Sequence, residues 1–392
     1  MNVHHWVTTA LFALVTAAGP CVAQQTSGSF GNRLVVSGSY KNLLTISRTP
    51  VLKDDFWSDL NRLKLDFDFD ISETSHIKAI VDNELLLGSL LETTEFRLGK
   101  EPDSGNRWDL DHIFIDNDKL YGRINVYRLY LNLDFRHVDV TAGRQRIAWG
   151  TGRLWNPTDL FNPISPLQIE RNQRDGVDAL NVEFFPGALS SLSLVYAAGD
   201  KSRNDSFGFR AGSNFKGYDY SVMAGEFRQD RVVGFDFGGN IGDAGFRGEA
   251  TYTQPDEGEN FWRGVLSWDY SFQSTLYLLF EYLYNGGNTG RPDESLQNLT
   301  NVNQRSFSGE IVTQNRNFVA MGLGYEWTPL LRTDGLMIYD VDDGSAFFGP
   351  SVTYNLRSDL DWITGLQLFA GPRDSEYGDS SNLLYSSIQF FF

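Results

Sequence analysis

The sequence predicts an all-β protein that folds as a single closed antiparallel transmembrane β-barrel of about 18 strands, with about 16 as the alternative. Three observations support this prediction. Apolar and polar residues alternate with period two along nearly the whole chain. No stretch after residue 23 approaches the roughly 18 to 20 unbroken apolar residues of a membrane helix. The chain also ends on a strand-like segment whose large apolar side chains alternate.

Residues 1–23 are predicted to be a secretory signal peptide. Residues 10–18 form its apolar core, and Cys21 and Ala23 place small residues at the −3 and −1 positions of a cleavage site. A lipid anchor on Cys21 is the less favoured alternative, because the residues before it do not form the usual lipoprotein box. The predicted mature domain, residues 24–392, is therefore exported and contains no cysteine, so no disulfide would hold it.

The composition is compatible with a barrel whose apolar band is hidden in the alternation. The chain has 33 basic and 50 acidic residues, a net charge of −17 and a mean hydropathy of −0.31. The mean hydropathy of a membrane barrel is on the polar side in this way, because only every second strand residue faces lipid. Aromatic residues make up 14% of the chain, which fits the interfacial girdles of such barrels. The strongly negative charge predicts no nucleic-acid partner.

Four segments show the alternation most clearly: residues 63–71, 127–135, 276–284 and 360–368. In the first, leucine, phenylalanine and isoleucine occupy one face, and Lys and Asp occupy the other. Weaker segments of the same kind cover residues 33–47, 75–87, 137–148, 177–185, 190–199, 205–213, 218–228, 231–240, 243–254, 260–272, 317–328, 331–340, 345–356 and 382–392. The total is about 18, an even number that brings both ends of a single-chain barrel to the same side of the membrane.

The connections predict a barrel with two unlike rims. Short polar joints such as residues 72–75, 186–187 and 229–230 indicate tight hairpins. Longer loops are predicted at about 97–120, 149–176, 286–316 and 371–381. Lipid offers no hydrogen-bond partners to an open sheet edge, so the last strand is expected to pair with the first.

The last five residues place Ile388, Phe390 and Phe392 on one strand face. This ending, together with the predicted signal peptide and the alternating strands, resembles the outer-membrane porins of Gram-negative bacteria. The resemblance implies an integral outer-membrane protein that is exported through the periplasm and allows passive diffusion of small hydrophilic solutes or ions, without a cofactor. It implies outer-membrane lipid and the barrel-assembly machinery as partners, the latter reading the terminal aromatic residues. Association of identical chains is left open.

A barrel of about 18 strands has a lumen too wide for its own wall side chains to fill, so water or a folded-in loop must occupy it. The segment 149–176 is the best candidate for a constriction loop, because it is long, rich in turn formers, and mixes aromatic and charged residues. The alternative is an external loop packed on its neighbours. Candidate pore-lining residues in this segment are Arg153, Asp159, Arg171, Arg174 and Asp175.

Charged strand residues predict a second feature of the pore. Arg128, Arg144 and Arg146 would form a basic ladder if they face the lumen, and this ladder could be opposed by a row of acidic residues. Facing rows of opposite charge set a transverse field that selects solutes. The alternative is that these charges solvate the wall and pair with one another. The acidic row consists of Asp66, Asp68 and Asp70.

Nothing in the sequence indicates catalysis or a bound metal. The three histidines after residue 23 are His76, His112 and His137; they are well separated and belong to no motif. The net charge favours cations as the transported species. Two other functions remain open: the sheath of a trans-outer-membrane electron conduit with separate cytochromes, and a plugged receptor or scaffold that does not conduct.

Overall fold

The computed structural model describes residues 33–49, 52–100, 105–163, 165–169, 176–288, 311 and 313–392. The predicted signal peptide lies outside these residues. The strands are β1 (Arg33–Arg48), β2 (Asp55–Ser72), β3 (Ser75–Leu87), β4 (Asp111–Asn117), β5 (Leu120–Phe135), β6 (Val138–Gln145), β7 (Val177–Gly187), β8 (Ser190–Ala197), β9 (Ser206–Phe215), β10 (Tyr218–Phe227), β11 (Asp230–Ile241), β12 (Ala244–Gln254), β13 (Phe261–Ser271), β14 (Tyr277–Asn285), β15 (Asn317–Thr328), β16 (Leu331–Asp340), β17 (Ala346–Arg357), β18 (Leu360–Ala370) and β19 (Leu383–Phe391). A short helix α1 (Thr94–Gly99) and two 3₁₀ turns (Ser89–Glu92 and Ser202–Asn204) complete the described elements.

The strands form one antiparallel sheet that closes on itself. Each strand except β4 pairs with its neighbours in chain order, β3 pairing with β5, and β19 pairs with β1 to complete the ring. Of the 19 strands in the sheet, 18 therefore make up the closed barrel. The fold class and the preferred strand number predicted from the sequence are confirmed. Closure of the 18-stranded ring pairs the first strand with the last, as a sheet surrounded by lipid requires.

The connection between β3 and β5 differs from the loop predicted at residues 97–120, because it contains the end of α1 and the strand β4. β6 is short and pairs with β5 only from Phe135 to Leu129. β4 pairs with the remaining part of β5, from Leu120 to Asn125, and so satisfies backbone groups that β6 leaves without a partner. The apolar residues Ile113, Phe114 and Ile115 of β4 are consecutive and the register shifts between Ile113 and Ile115, so the sequence shows no period-two pattern there.

The outer surface of the barrel is apolar, as the alternation predicts. On β14, Leu278, Phe280 and Tyr284 are exposed, whereas Leu279, Glu281 and Leu283 between them are buried inside. The terminal residues follow the same rule: Ile388 and Phe390 pair with outward residues of β1, and the backbone of Phe392 exchanges hydrogen bonds with Gly38. Among the described residues, no helix is long and apolar enough to cross a membrane.

Buried apolar side chains form two clusters inside the barrel rather than between packed layers. The first cluster joins Trp149 and Phe161 of the β6–β7 connection to inward residues of β7, β8, β10 and β11. The second joins Leu154 and Trp155 of the same connection to inward residues of β13 to β17. The core of this protein is therefore built between a loop and the inner wall of the barrel.

Candidate pore constriction

The connection between β6 and β7, residues 146–176, enters the barrel; we call it the lumen loop. Of this segment the structure describes residues 146–163, 165–169 and 176. The chain leaves the wall after Gln145 and reaches β12 and β14, which lie six and eight strands away around the barrel. The carbonyl of Leu167 then accepts a hydrogen bond from the side chain of Gln367 on β18. The lumen loop thus crosses the interior, as the sequence predicted for residues 149–176.

Glu249 on β12 holds the first part of the lumen loop. Its Oε1 accepts the backbone N–H groups of Thr151 (2.5 Å) and Gly152 (2.6 Å). Its Oε2 accepts the backbone N–H (3.1 Å) and the hydroxyl (2.8 Å) of Thr158. Four donors converge on one carboxylate that is only 4% exposed, so a buried negative charge is matched by oriented dipoles rather than by a cation.

Glu281 on β14 holds the next residues of the lumen loop in the same way. Its Oε2 accepts the N–H of Arg153 (3.0 Å), and its Oε1 accepts the N–H groups of Leu154 (3.1 Å) and Trp155 (2.8 Å). This carboxylate is fully buried. Since an unpaired buried N–H costs about 1–3 kcal/mol, the two glutamates together fix a stretch of backbone that would otherwise face the lumen without partners.

Two glycines allow the wall carboxylate to approach the lumen loop closely. A Cβ on Gly150 would lie 2.6 Å from Oε1 of Glu249, and Gly150 also has a φ of +96°. A Cβ on Gly152 would lie 2.0 Å from the carbonyl oxygen of Trp155. Any side chain at either position would therefore displace the backbone that Glu249 binds.

Aromatic side chains of the lumen loop pack on apolar inward residues of the wall. The rings of Trp149 and Phe161 meet edge to face with centroids 5.0 Å apart, and Phe161 meets Phe227 of β10 at 5.1 Å. Trp155 lies 6.4 Å from Phe318 of β15. We call the inward face of β12 to β16 the covered wall. Its apolar residues Val265, Leu283, Phe318, Ala320 and Ile338 are 2% exposed or less.

A second inward surface, formed by β2, β3 and β5, is lined by ion pairs; we call it the charged wall. Lys78 on β3 contacts Asp66 (3.0 Å) and Asp68 (2.7 Å) of β2. Nearer the long-loop rim, Glu84 binds both Arg62 (2.6 Å) and Arg123 (2.9 Å). Arg62 also lies 3.4 Å from Asp82.

The predicted opposition of Asp66 and Asp68 to an arginine ladder across the lumen does not match this arrangement. Both carboxylates instead pair with Lys78 on the adjacent strand, because neighbouring strands are only about 4.8 Å apart and the lumen is far wider. Asp70 lies at the exposed end of β2 next to the short-turn rim, opposite His76. The guanidinium of Arg128 donates to the carbonyl of Tyr127.

Arg144 is placed differently from its predicted role in that ladder. It is 4% exposed, and its Nε donates to Oδ1 of Asp178 at 2.9 Å on the neighbouring strand β7. Trp108, from the connection that contains β4, caps this pair: its N–H binds Asp178 and its carbonyl accepts from Arg144. Arg144 and Leu129 are register partners, so Arg144 shares the side of the sheet on which Leu129 is exposed. It therefore ties the wall to the β3–β5 connection instead of lining the pore.

The other candidate residues lie at several places along the lumen loop. Arg146 is exposed, whereas Asp159 is buried and accepts the N–H of Asn162. Arg153 is about half exposed and lies 3.6 Å from Asp269 of β13, which also binds Arg247. The pore-lining roles of these residues stay predictions. Arg171, Arg174 and Asp175 lie outside the described residues.

A cavity of about 250 Å³ opens beside the start of the lumen loop. Arg146 and Trp149 form one side of it, and Glu183 of β7 and Arg210 of β9 form the other. Nη2 of Arg210 donates hydrogen bonds to both carboxylate oxygens of Asp236, each at 3.1 Å. Polar and charged groups of both signs thus line the space that the loop leaves open at this point.

Sequence reasoning missed the two residues that position the lumen loop, Glu249 and Glu281. A signal was present for Glu281, an acidic residue between the apolar inward neighbours Leu279 and Leu283, whereas Glu249 lies between the inward residues Arg247 and Thr251. An isolated inward carboxylate in an apolar stretch must have a partner, which makes Glu281 recognisable. Glu249 is less recognisable, because Arg247 two residues before it offers a cation, although the structure pairs Arg247 with Asp269.

Comparison with known proteins identifies the fold. No family model matches the sequence, and no curated protein matches it. Solved structures do match over nearly the whole chain. OccD3 (OpdP) of Pseudomonas aeruginosa has a TM-score of 0.56 and 12% identity, over 94% of this chain and 93% of that chain.

Two further matches are of the same quality. The outer membrane protein OprD from Pseudomonas aeruginosa has a TM-score of 0.57 and 10% identity, over 94% of this chain and 95% of that one. OccAB1 of Acinetobacter baumannii has a TM-score of 0.56 and 10% identity, over 94% and 98% of the two chains. The barrel fold is shared with these proteins. The identities are too low for the likeness to show more than the fold.

Proposed function

We propose that this chain is an outer-membrane, porin-like channel for passive diffusion of small hydrophilic solutes or ions. The observation that supports this most is the combination of an apolar exterior with an interior that a bound loop narrows. An 18-stranded barrel is too wide to be filled by its wall, and here the lumen loop packs on the inward face of β7 to β11 and on the covered wall. The charged wall remains as the polar side of the passage.

The solved structures that share the fold support this location, because OprD is described as an outer membrane protein. A transport function is also preferred to catalysis. The charged groups of the charged wall are arranged in cross-strand ion pairs, as expected of groups that line a polar passage. The net charge of −17 favours cations as the preferred ions.

The test is single-channel recording of the purified protein in planar bilayers, with and without residues 151–170. We expect the full chain to conduct, and the deletion to conduct more. A full chain that is silent in a preparation whose loop deletion conducts would replace this proposal with a plugged receptor or scaffold. Reversal potentials in a salt gradient test the ion preference, and anion preference would contradict that part of the proposal.

A further inference from the structure

Four polar residues lie on the outer face of the barrel where β1 meets β2: Tyr40, Asn42, Asp59 and Asn61. We call them the seam cluster. On β1 they share the outward side with Leu44 and Ile46, which are 39% and 48% exposed, and on β2 with Trp57, which is 44% exposed. Side chains alternate across a strand, so all four side chains are on the surface that faces away from the lumen.

The seam cluster is flanked by apolar outward residues. Asn42 is the register partner of Asn61 on β2 and of Ile388 on β19. On the other side, Asn61 and Asp59 are the register partners of Leu85 and Leu87 on β3. Trp57 stands between the cluster and the long-loop rim. The cluster therefore lies within the apolar band and not in the polar rim above it.

The hydrogen bonds of the seam cluster converge on one carboxylate oxygen. Oδ1 of Asp59 accepts from Nδ2 of Asn42 (2.5 Å) and from Nδ2 of Asn61 (3.2 Å). The hydroxyl of Tyr40 donates to Oδ1 of Asn61 at 2.6 Å. In the part of the chain that the structure describes, no side chain donates to Oδ2 of Asp59 and no Lys or Arg forms an ion pair with it.

Hydrocarbon cannot supply the missing donors. A charged group on the lipid face of a barrel is destabilising, and every polar group there needs a partner from protein. An anionic lipid headgroup does not fit, since it brings negative charge without an amide donor, whereas Nδ2 of Asn61 in a second copy has a further hydrogen to donate to Oδ2 of Asp59. A partner surface with amide donors and acceptors inside an apolar surround does fit, and the seam cluster is itself such a surface.

We infer that the seam cluster is an interface with a second copy of this chain. Two copies that face each other across this patch exchange amide and carboxylate hydrogen bonds, and pack Leu44, Leu85 and Ile388 around them. Such a patch is self-complementary, as an interface between identical chains requires. The inference rests on the proposed location of the barrel in a membrane, because only lipid makes the cluster costly to leave uncovered.

Cysteine cross-linking in native membranes tests this interface. The chain has one cysteine, Cys21, so a Cys21→Ser background makes each introduced thiol unique. Asn61→Cys is compared with Val233→Cys, a 54% exposed outward position on β11, eight strands away around the barrel. With bis-maleimides of several lengths, we expect Asn61→Cys to give a product of twice the chain mass and Val233→Cys to give none.

A second measurement covers the case in which the thiol itself disturbs the contact. The triple variant Asn42→Leu, Asp59→Leu, Asn61→Leu is compared with wild type and with Tyr282→Leu, an outward position on β14. In mild detergent, native mass spectrometry should show oligomers for wild type and Tyr282→Leu, and monomers for the triple variant. The heat-dependent mobility of folded barrels on gels verifies that each variant folds.

Three results would overturn the inference. The first is a wild-type chain that is monomeric in both assays. The second is a cross-linked product whose mass fits another protein. The third is a glycolipid that wild type retains in native mass spectrometry and the triple variant loses. Conductance of the same preparations separates this inference from the proposed function. An oligomer without conductance would support the interface and contradict the channel function. A conducting monomer would support the channel function and contradict the interface.

Discussion

The covered wall and the charged wall form opposite kinds of surface inside one barrel. Along β12 to β16 the apolar inward residues such as Val265, Leu283 and Ile338 are nearly inaccessible, and Glu249 and Glu281 of this wall bind backbone N–H groups of the lumen loop. Along β2, β3 and β5 many inward residues are charged, and charged residues such as Lys78 and Glu84 form ion pairs with adjacent strands. The difference shows that an inward position in a wide barrel is a packing position or a solvent position, depending on whether a loop covers it.

The largest expected effect comes from removing both anchors of the lumen loop. The double variant Glu249→Ala, Glu281→Ala leaves six backbone N–H groups of the lumen loop without acceptors, and each hydrogen bond to a charged group contributes about 1.5–3 kcal/mol. We expect the loop to leave the covered wall. Single-channel conductance should then rise at least about twofold, because the barrel wall alone cannot fill the lumen.

Glu183→Gln is the matched control for this experiment. Glu183 is also an inward carboxylate, but it contacts Asn181 on its own strand and does not hold the lumen loop backbone. The conductance of Glu183→Gln should change much less than that of the double variant, because one lumen charge is lost while the loop stays in place. Unchanged conductance in the double variant would mean that the loop is held by its aromatic contacts alone.

The second prediction tests the close approach of the lumen loop to the covered wall. Gly152→Ala places a methyl group 2.0 Å from the carbonyl oxygen of Trp155, which forces the backbone to move. We expect the free energy of unfolding to fall by about 1–3 kcal/mol, as at other overpacked sites. Thermal unfolding in detergent measures it, with Gly187→Ala as the control because a Cβ there meets nothing within 4 Å. Equal melting temperatures would contradict the described loop path.

The third prediction concerns the charged wall. Lys78→Gln leaves Asp66 and Asp68 without their cation and adds a net negative charge to the lumen. We expect the cation-to-anion permeability ratio to rise by about twofold to threefold at low salt, and less at high salt because mobile ions screen the added charge. Reversal potentials measure this ratio. Lys216→Gln, in the tight turn after β9, removes the same charge outside the lumen and should leave the ratio unchanged.

The smallest effect is expected at the long-loop rim, where Glu376 lies between β18 and β19. Burial raises the pKa of its carboxyl group to about 7, and the nearby Asp340 and Asp343 add to this shift. The folded-state pKa is higher than that of the unfolded chain. The stabilisation is therefore fully present below about pH 4.5 and is lost as the pH rises through about 7.

Hydrogen exchange of the residues around Gln314 and Tyr377 measures this effect. Ionisation of the buried Glu376 carboxyl destabilises the packing around it, so the protection of the nearby Gln314 N–H should fall between pH 5 and pH 8 after correction for the intrinsic exchange rate. In Glu376→Gln that pH dependence should disappear. A wild-type protein whose corrected protection does not change over this range would contradict the prediction.

The sequence predicted the barrel well and the lumen less well, for physical reasons. Period-two alternation reports only which side of the sheet a residue faces, and the lipid side is uniform enough for the pattern to be read over all 18 strands of the barrel. The lumen side is not uniform. Whether Arg144 binds Asp178 or faces water depends on the β3–β5 connection that caps it, and nothing in the spacing of residues 128–146 encodes that.

The lumen loop was correctly expected to fold inward, but its anchors could not be located in advance. Glu249 and Glu281 lie about 100 to 130 residues further along the chain than the loop residues they bind. Contacts of this kind follow from barrel closure rather than from local pattern. The sequence pattern did not indicate a role for Gly150 and Gly152, yet both are required for Glu249 to reach the backbone of the lumen loop.

The way in which the two glutamates bind has a consequence for how this protein can change over evolutionary time. Apart from one threonine hydroxyl, they bind peptide N–H groups, which every residue except proline carries. The side chains of Thr151, Arg153 and Asn156, which are not buried, can thus be exchanged while the attachment persists. Selection is free to alter what the passage admits by substituting these residues, with the scaffold left intact.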